Sequence, residues 1–106
     1  MRFGKWYALE DAAEYAAAGP GVYQLRIARG LLSYPRGQSA MIRYGAGPNV
    51  RELVAELAAA HRGRDFLCRF SEDLSPRESA DPGGILARLL QTFETRFGTA
   101  PRLPLS

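Results

Sequence analysis

The stretch from Gly21-Val22-Tyr23 to Asn49-Val50-Arg51 constrains the fold more than any other part of the chain. Val22 to Arg29 alternates. Tyr23, Leu25 and Ile27 point one way while Gln24 and Arg26 point the other, which is the period of a half-buried strand. Gly30, Pro35 and Gly37 interrupt that period, so Gly30 to Gln38 reads as an extended hairpin connection. Its Leu31, Leu32 and Tyr34 are apolar enough to prolong either strand. Ala40 to Tyr44 is a second strand, ended by Gly45-Ala46-Gly47-Pro48. A helix starts at once, at Pro48 or Asn49, since proline is tolerated in a first helical turn. It runs to about His61, where Arg62-Gly63 closes it.

The flanking segments add a helix at one end and a strand and helix at the other. Leu9 to Ala18 is alanine-rich, with Glu10 and Asp11 near its start, and predicts a short helix. It belongs to an N-terminal helical extension over about residues 6–18, in which Trp6, Leu9, Ala13 and Ala16 share one side. Asp65 to Phe70 is a third strand, and the polar Ser71 to Ala80 reads as a loop. Asp81-Pro82 forms a cap and first turn. From there Ile85, Leu86, Leu89, Leu90, Phe93 and Phe97 recur at three and four residues, predicting a last helix that stops at Gly98. Thr99 to Ser106 is an extended tail, so residues 1–106 read as a single domain. The expected class is α+β, a small three-stranded, mostly antiparallel sheet flanked by helices.

At 106 residues the chain suits one compact unit, and a hydrophobic fraction of 46% argues against disorder. Its apolar runs are too short to span a membrane, and no apolar signal core follows Met1-Arg2-Phe3, which predicts a cytoplasmic protein with no membrane partner. Cys68, the lone cysteine, predicts a buried and inert thiol. The net charge is +3, and all of the 14 basic residues except Lys5 are arginine. With so much alanine this fits a GC-rich bacterial genome, while guanidinium forks also suit phosphate. Arg62, Arg64, Arg69 and Arg77 interleave with Asp65, Glu72, Asp73 and Glu78 and read as a solvated, mixed-charge surface.

In this order the motifs resemble the GIY-YIG nuclease superfamily. Gly21-Val22-Tyr23 matches the first motif, Arg43-Tyr44-Gly45 stands at the second, and Asn49-Val50-Arg51 resembles the Asn-Leu-Arg that opens the family's helix. Phe97-Gly98 followed by Pro101 resembles the glycine-proline exit after its last helix. The resemblance implies a GIY-YIG-like fold and a site that cleaves a phosphodiester with one divalent metal, Mg²⁺ or Mn²⁺. The chain departs from that pattern where the chemistry lies. The family's catalytic arginine falls at Leu53 or, in a register slid by one, Val54, and the residue a helical turn later is Leu57 or Ala58. The first two turns of the last helix hold no acid, and Glu94 comes late. An aliphatic side chain cannot neutralise charge growing on phosphate. Val50, Leu53, Val54, Leu57 and Ala58 instead form an apolar stripe.

The expectation is therefore a degenerate, inactive nuclease site on a domain that binds nucleic acid or protein and needs no cofactor. Arg43, Arg51, Arg62 and Arg64 are the candidate contacts to DNA. An alternative is an active metal-dependent endonuclease with relocated residues. Tyr23, Arg43, Tyr44 and His61 are then the catalytic candidates and Glu94 the metal ligand. A third reading is a structural protein that forms a homodimer or meets a protein partner through Leu53 and Leu57. Plainer roles stand beside these. Tyr23 can be a core tyrosine with its hydroxyl tied locally, Arg43 and Arg51 solvated side chains, and His61 a complement to a helix dipole.

Overall fold

A computed structural model describes residues 1–104. The elements in chain order are β1 (Arg2–Phe3), β2 (Tyr7–Ala8), α1 (Leu9–Ala12), β3 (Gly21–Ile27), β4 (Leu32–Tyr34), β5 (Gly37–Ser39), β6 (Met41–Gly47), α2 (Val50–Ala60), β7 (Phe66–Glu72), α3 (Pro76–Ala80) and α4 (Pro82–Phe97). The class is α+β, and every strand pair is antiparallel. The main sheet has five strands rather than three. Its order is β1-β7-β3-β6, with β2 also paired to β7. The two extra strands are two residues each, too short to show a period, and exist only because β7 offers them a free edge.

Four further departures have local causes. The predicted Leu9–Ala18 helix lasts one turn. Beyond it, the carbonyls of Ala17 and Gly19 accept from the backbone N–H groups of Arg51 and Val50, so the start of α2 takes bonds a longer helix would have kept. The hairpin connection is itself a small hairpin, β4 against β5, tied to β6 where the Tyr34 hydroxyl donates to the Met41 carbonyl at 2.6 Å. The second strand runs on through Gly45 to Gly47, because β3 stays paired with it to its end. The expected loop after Phe70 begins as the last residues of β7 and ends as α3. Ser75 and Glu78 cap α3 reciprocally, at 3.2 and 2.9 Å. Glu78 is half-buried, and its bonds to Ser75 hold its carboxyl below the usual range. The tail lacks regular structure over residues 99–104, and Leu105 and Ser106 lie outside the described residues.

The sheet is covered on both faces. On one, Tyr23, Leu25, Ile42, Phe66, Cys68 and Phe70 pack with Leu9 and Ala12 of α1 and Val50, Val54 and Leu57 of α2. Burying side chains of this size is worth about 1.5–3 kcal/mol each. On the other, α4 brings Ile85 and Phe93 against the sheet, and Phe93 meets the Tyr44 ring edge-on at 5.8 Å. The strand predicted to be half-buried is thus buried on both sides from Gly21 to Leu25. Helix α4 starts where the Asp81 side chain accepts from Gly84 N–H at 3.0 Å and ends at Gly98, left-handed at φ 88°. Among the described residues no helix is long and apolar enough to cross a membrane.

The pairing of β3 with β6 contains one irregularity. Leu25 faces Arg43, but the next residue, Arg26, faces Met41, so Ile42 is an extra residue on β6. Two residues opposite one is a β-bulge. It lets Ile42 enter the α2-side core while Arg43 keeps its place opposite Leu25.

Candidate functional site

The two strand motifs meet where β3 and β6 pair. Tyr23 stands directly opposite Gly45, and its ring lies across the space a side chain there would fill. A Cβ on Gly45 would come 2.6 Å from the Tyr23 hydroxyl oxygen and closer still to the ring. Tyr23 is 5% exposed. Its hydroxyl accepts a hydrogen bond from Nε of Arg43 at 3.0 Å. The neighbouring glycines have the same use. A Cβ on Gly47 would come 2.8 Å from Leu53, and one on Gly21 2.9 Å from Val50. These glycines let α2 and one aromatic ring approach the backbone closely.

The α2 side chains buried in the same core as Tyr23 are Val50, Val54 and Leu57. Leu57 is buried in the chain's own core and Leu53 is half-buried against Gly47, so most of the leucine stripe is already covered from within. The helix N-terminus is also occupied. The N–H groups of Val50, Arg51 and Glu52 bond the Gly19 carbonyl, the Ala17 carbonyl and the Asn49 side chain. These are the groups that would receive an anion at a helix start. Arg51 sends its Nε to the Ala16 carbonyl at 2.8 Å, which fastens the N-terminal segment to α2. Arg51→Ala is expected to lower stability by about 1 kcal/mol, roughly 4–8 °C in melting temperature, and to leave DNA affinity unchanged. Thermal melts and DNA titrations of both chains check this.

The other candidates lie apart. Tyr44 points to the α4 side of the sheet, away from Tyr23. Burial pushes its hydroxyl up to about 12, with the Arg69 charge acting against the rise and Tyr34 adding to it. His61 closes α2 and, with Arg62 and Arg64, rims a groove of about 520 Å³ between α2 and α1, floored by Ala55, Ala58 and Ala59. Arg64 lies over the Phe66 ring at 4.9 Å. Glu94 is exposed on α4 beside Arg36 and Gln91, across the sheet from Tyr23. One carboxylate next to a guanidinium, on the far side from the tyrosine, does not fit a divalent metal shared with Tyr23.

A second cluster escaped the sequence reading. Arg69 is half-buried on the α4 side of β7 rather than solvated. Its Nε donates to the Gln24 side-chain oxygen at 2.7 Å, and its guanidinium lies 4.5 Å from the Trp6 ring centre and 4.8 Å from that of Phe3. Arg26 lies 5.3 Å from the same Trp6 ring. Gln24, only 4% exposed, is the polar residue that ties the group together. The sequence signal was a glutamine inside the strongest strand, legible as a buried partner only once β3 is known to be covered on both faces.

No protein-family model matches the chain, and neither a curated protein nor a solved structure matches it.

Proposed function

We propose that this chain is a GIY-YIG-like domain with a degenerate, inactive nuclease site, and that it works as a nucleic-acid-binding module. The meeting of Tyr23, Gly45 and Arg43 carries the reading. The two strand motifs stand side by side as such a site requires. Leu53 and Leu57 occupy the helix positions from which an arginine and a polar partner would act. The buried Tyr23 hydroxyl has Arg43 as its side-chain partner, and no carboxylate hydrogen-bonds to it among the described residues.

Charge supports the binding role. Among the described residues, only Arg2 and Arg29 of the arginines have a carboxylate within 4.0 Å. Arg43, Arg62 and Arg64 have no carboxylate partner there and can meet phosphate, whose neutralisation makes affinity fall with added salt. A lone cysteine buried in the sheet suits the reducing cytoplasm as the proposed setting.

Purified protein mixed with plasmid DNA and Mg²⁺ or Mn²⁺ is expected to bind in a salt-dependent way and to leave the DNA uncut. Metal-dependent cleavage that disappears in Tyr23→Phe would replace this reading with the active nuclease. Absence of DNA binding, together with a mass that rises with concentration, would replace it with a self-associating structural protein.

A further inference from the structure

We propose that Arg26 and Arg69, on the α4 side of the sheet, form a binding site for a phosphate group, with Gln24 holding Arg69 in place and Trp6 beside both guanidinium groups. The site lies on the opposite face from Tyr23 and does not depend on the nuclease resemblance.

Gln24 and Arg69 are direct cross-strand partners, and Arg26 follows two residues along β3 on the same face. Two guanidinium groups therefore share one half-buried patch. Burial weakens the hold of Arg69 on its proton, Tyr44 offsets that, and the charge of Arg26 adds to it. Bringing like charges together out of water is unfavourable unless an opposite charge joins them. Among the described residues no carboxylate lies within 4.0 Å of either arginine. Glu72, the nearest acid along β7, lies beside Arg2.

The donors are also left over in the right number. Arg69 uses its Nε on Gln24, and Arg26 uses its Nε on the Ile27 carbonyl at 3.0 Å. The terminal amino groups of both side chains make no hydrogen bond among the described residues, although a guanidinium carries five N–H donors in a fixed fork. Both guanidinium groups lie over the Trp6 ring and that of Arg69 also over Phe3, so the forks are preorganised rather than floppy. Two preset forks with free ends match the oxygens of a phosphate. That phosphate can come from a nucleic-acid backbone or from a small phosphomonoester.

Trp6 is the sole tryptophan, so its fluorescence reports directly on this site. Inorganic phosphate titrated into the full chain, against sodium chloride at matched ionic strength, is expected to give a saturable change in Trp6 emission. Arg69→Gln and Arg26→Gln are each expected to weaken that response on the order of tenfold, the loss of one charge-assisted contact. Arg77→Gln, exposed on α3, serves as the charge control and should titrate like the parent. An oligonucleotide without terminal phosphate that reproduces the response assigns the site to a backbone phosphodiester. A response to a nucleoside monophosphate but not to that oligonucleotide assigns it to a phosphomonoester.

If Trp6 emission follows ionic strength alone with all three probes, the proposal is overturned. Should Arg69→Gln fail to fold by circular dichroism, Arg26→Gln carries the test, and a titration identical to the parent sinks the idea. A Trp6 response in a chain that binds no DNA would keep this site and remove the nucleic-acid reading. DNA binding untouched by both substitutions, with no response to phosphate, would do the reverse.

Discussion

Gly45→Ala is expected to destabilise the folded chain by about 2–3 kcal/mol, the cost of overpacking a filled core. For a domain of this size that lowers the melting temperature by roughly 10–20 °C. The added methyl enters the space held by the Tyr23 ring, which cannot retreat without losing its bond from Arg43 and its packing under α2. The effect should vanish when the ring is gone. In a Tyr23→Val background, Gly45→Ala is expected to cost close to nothing, giving a coupling on the order of 1–3 kcal/mol. Denaturant melts of the four chains measure this cycle. Additive losses would show that Tyr23 and Gly45 do not compete for one space, and the packing account of the second motif's glycine would be lost.

Cys68 is expected to react with a disulfide reagent at pH 8 roughly a thousandfold more slowly in the native chain than in the unfolded one, since thiolate is the reacting form. It is fully buried in β7, and burial pushes its thiol from 9.0 up to about 12. Tyr44 shifts the same way, from 10.0 to about 12. Both groups keep their protons in the folded chain at pH values where the unfolded chain has released them. The unfolded state therefore binds fewer protons above about pH 9, and stability falls as pH rises from there towards 12. Below pH 9 the contribution is fully present. Melts across pH 7–11 check the sign. Cys68→Ser and Tyr44→Phe should each flatten the alkaline limb, and fast labelling of the native thiol would show that β7 opens freely.

The parts of the fold that were legible share one property, a long period. β3 alternates, and α2 and α4 carry apolar residues at three and four, so each announces its type within its own residues. β1 and β2 announce nothing, because a two-residue strand is defined by its partner. α3 did carry a local signal, Ser75 followed three residues later by Glu78, hidden by the polar composition around it. The alanine run after Leu9 was misleading for a different reason. Helix propensity there is outweighed by tertiary bonds that Arg51 and Val50 make to Ala16, Ala17 and Gly19.

The site divides along the same line. That Tyr23 and Gly45 are neighbours follows from two strands in a hairpin, and the aliphatic answer of α2 was readable residue by residue. Arg69 beside Trp6 was not. Those two residues meet only because β7 lies next to β3 and the chain start folds back along it, which no local pattern reports. A run of alternating charges from Arg62 to Glu78 looks solvated, yet one of its arginines is carried inward by strand parity alone.

The extra residue at Ile42 acts as a phase shift in β6. Downstream of it the inward and outward positions keep step with β3 from Leu25 back to Gly21, and upstream they keep step with Arg26. Shortening the strand by one residue there would bring the two halves into a single phase. Either Arg43 would leave Tyr23 or Met41 would leave its place opposite Arg26, because both cannot hold their faces in an unbroken ladder. The arginine that ties off the buried phenol thus owes its side of the sheet to an aliphatic neighbour that pairs with nothing.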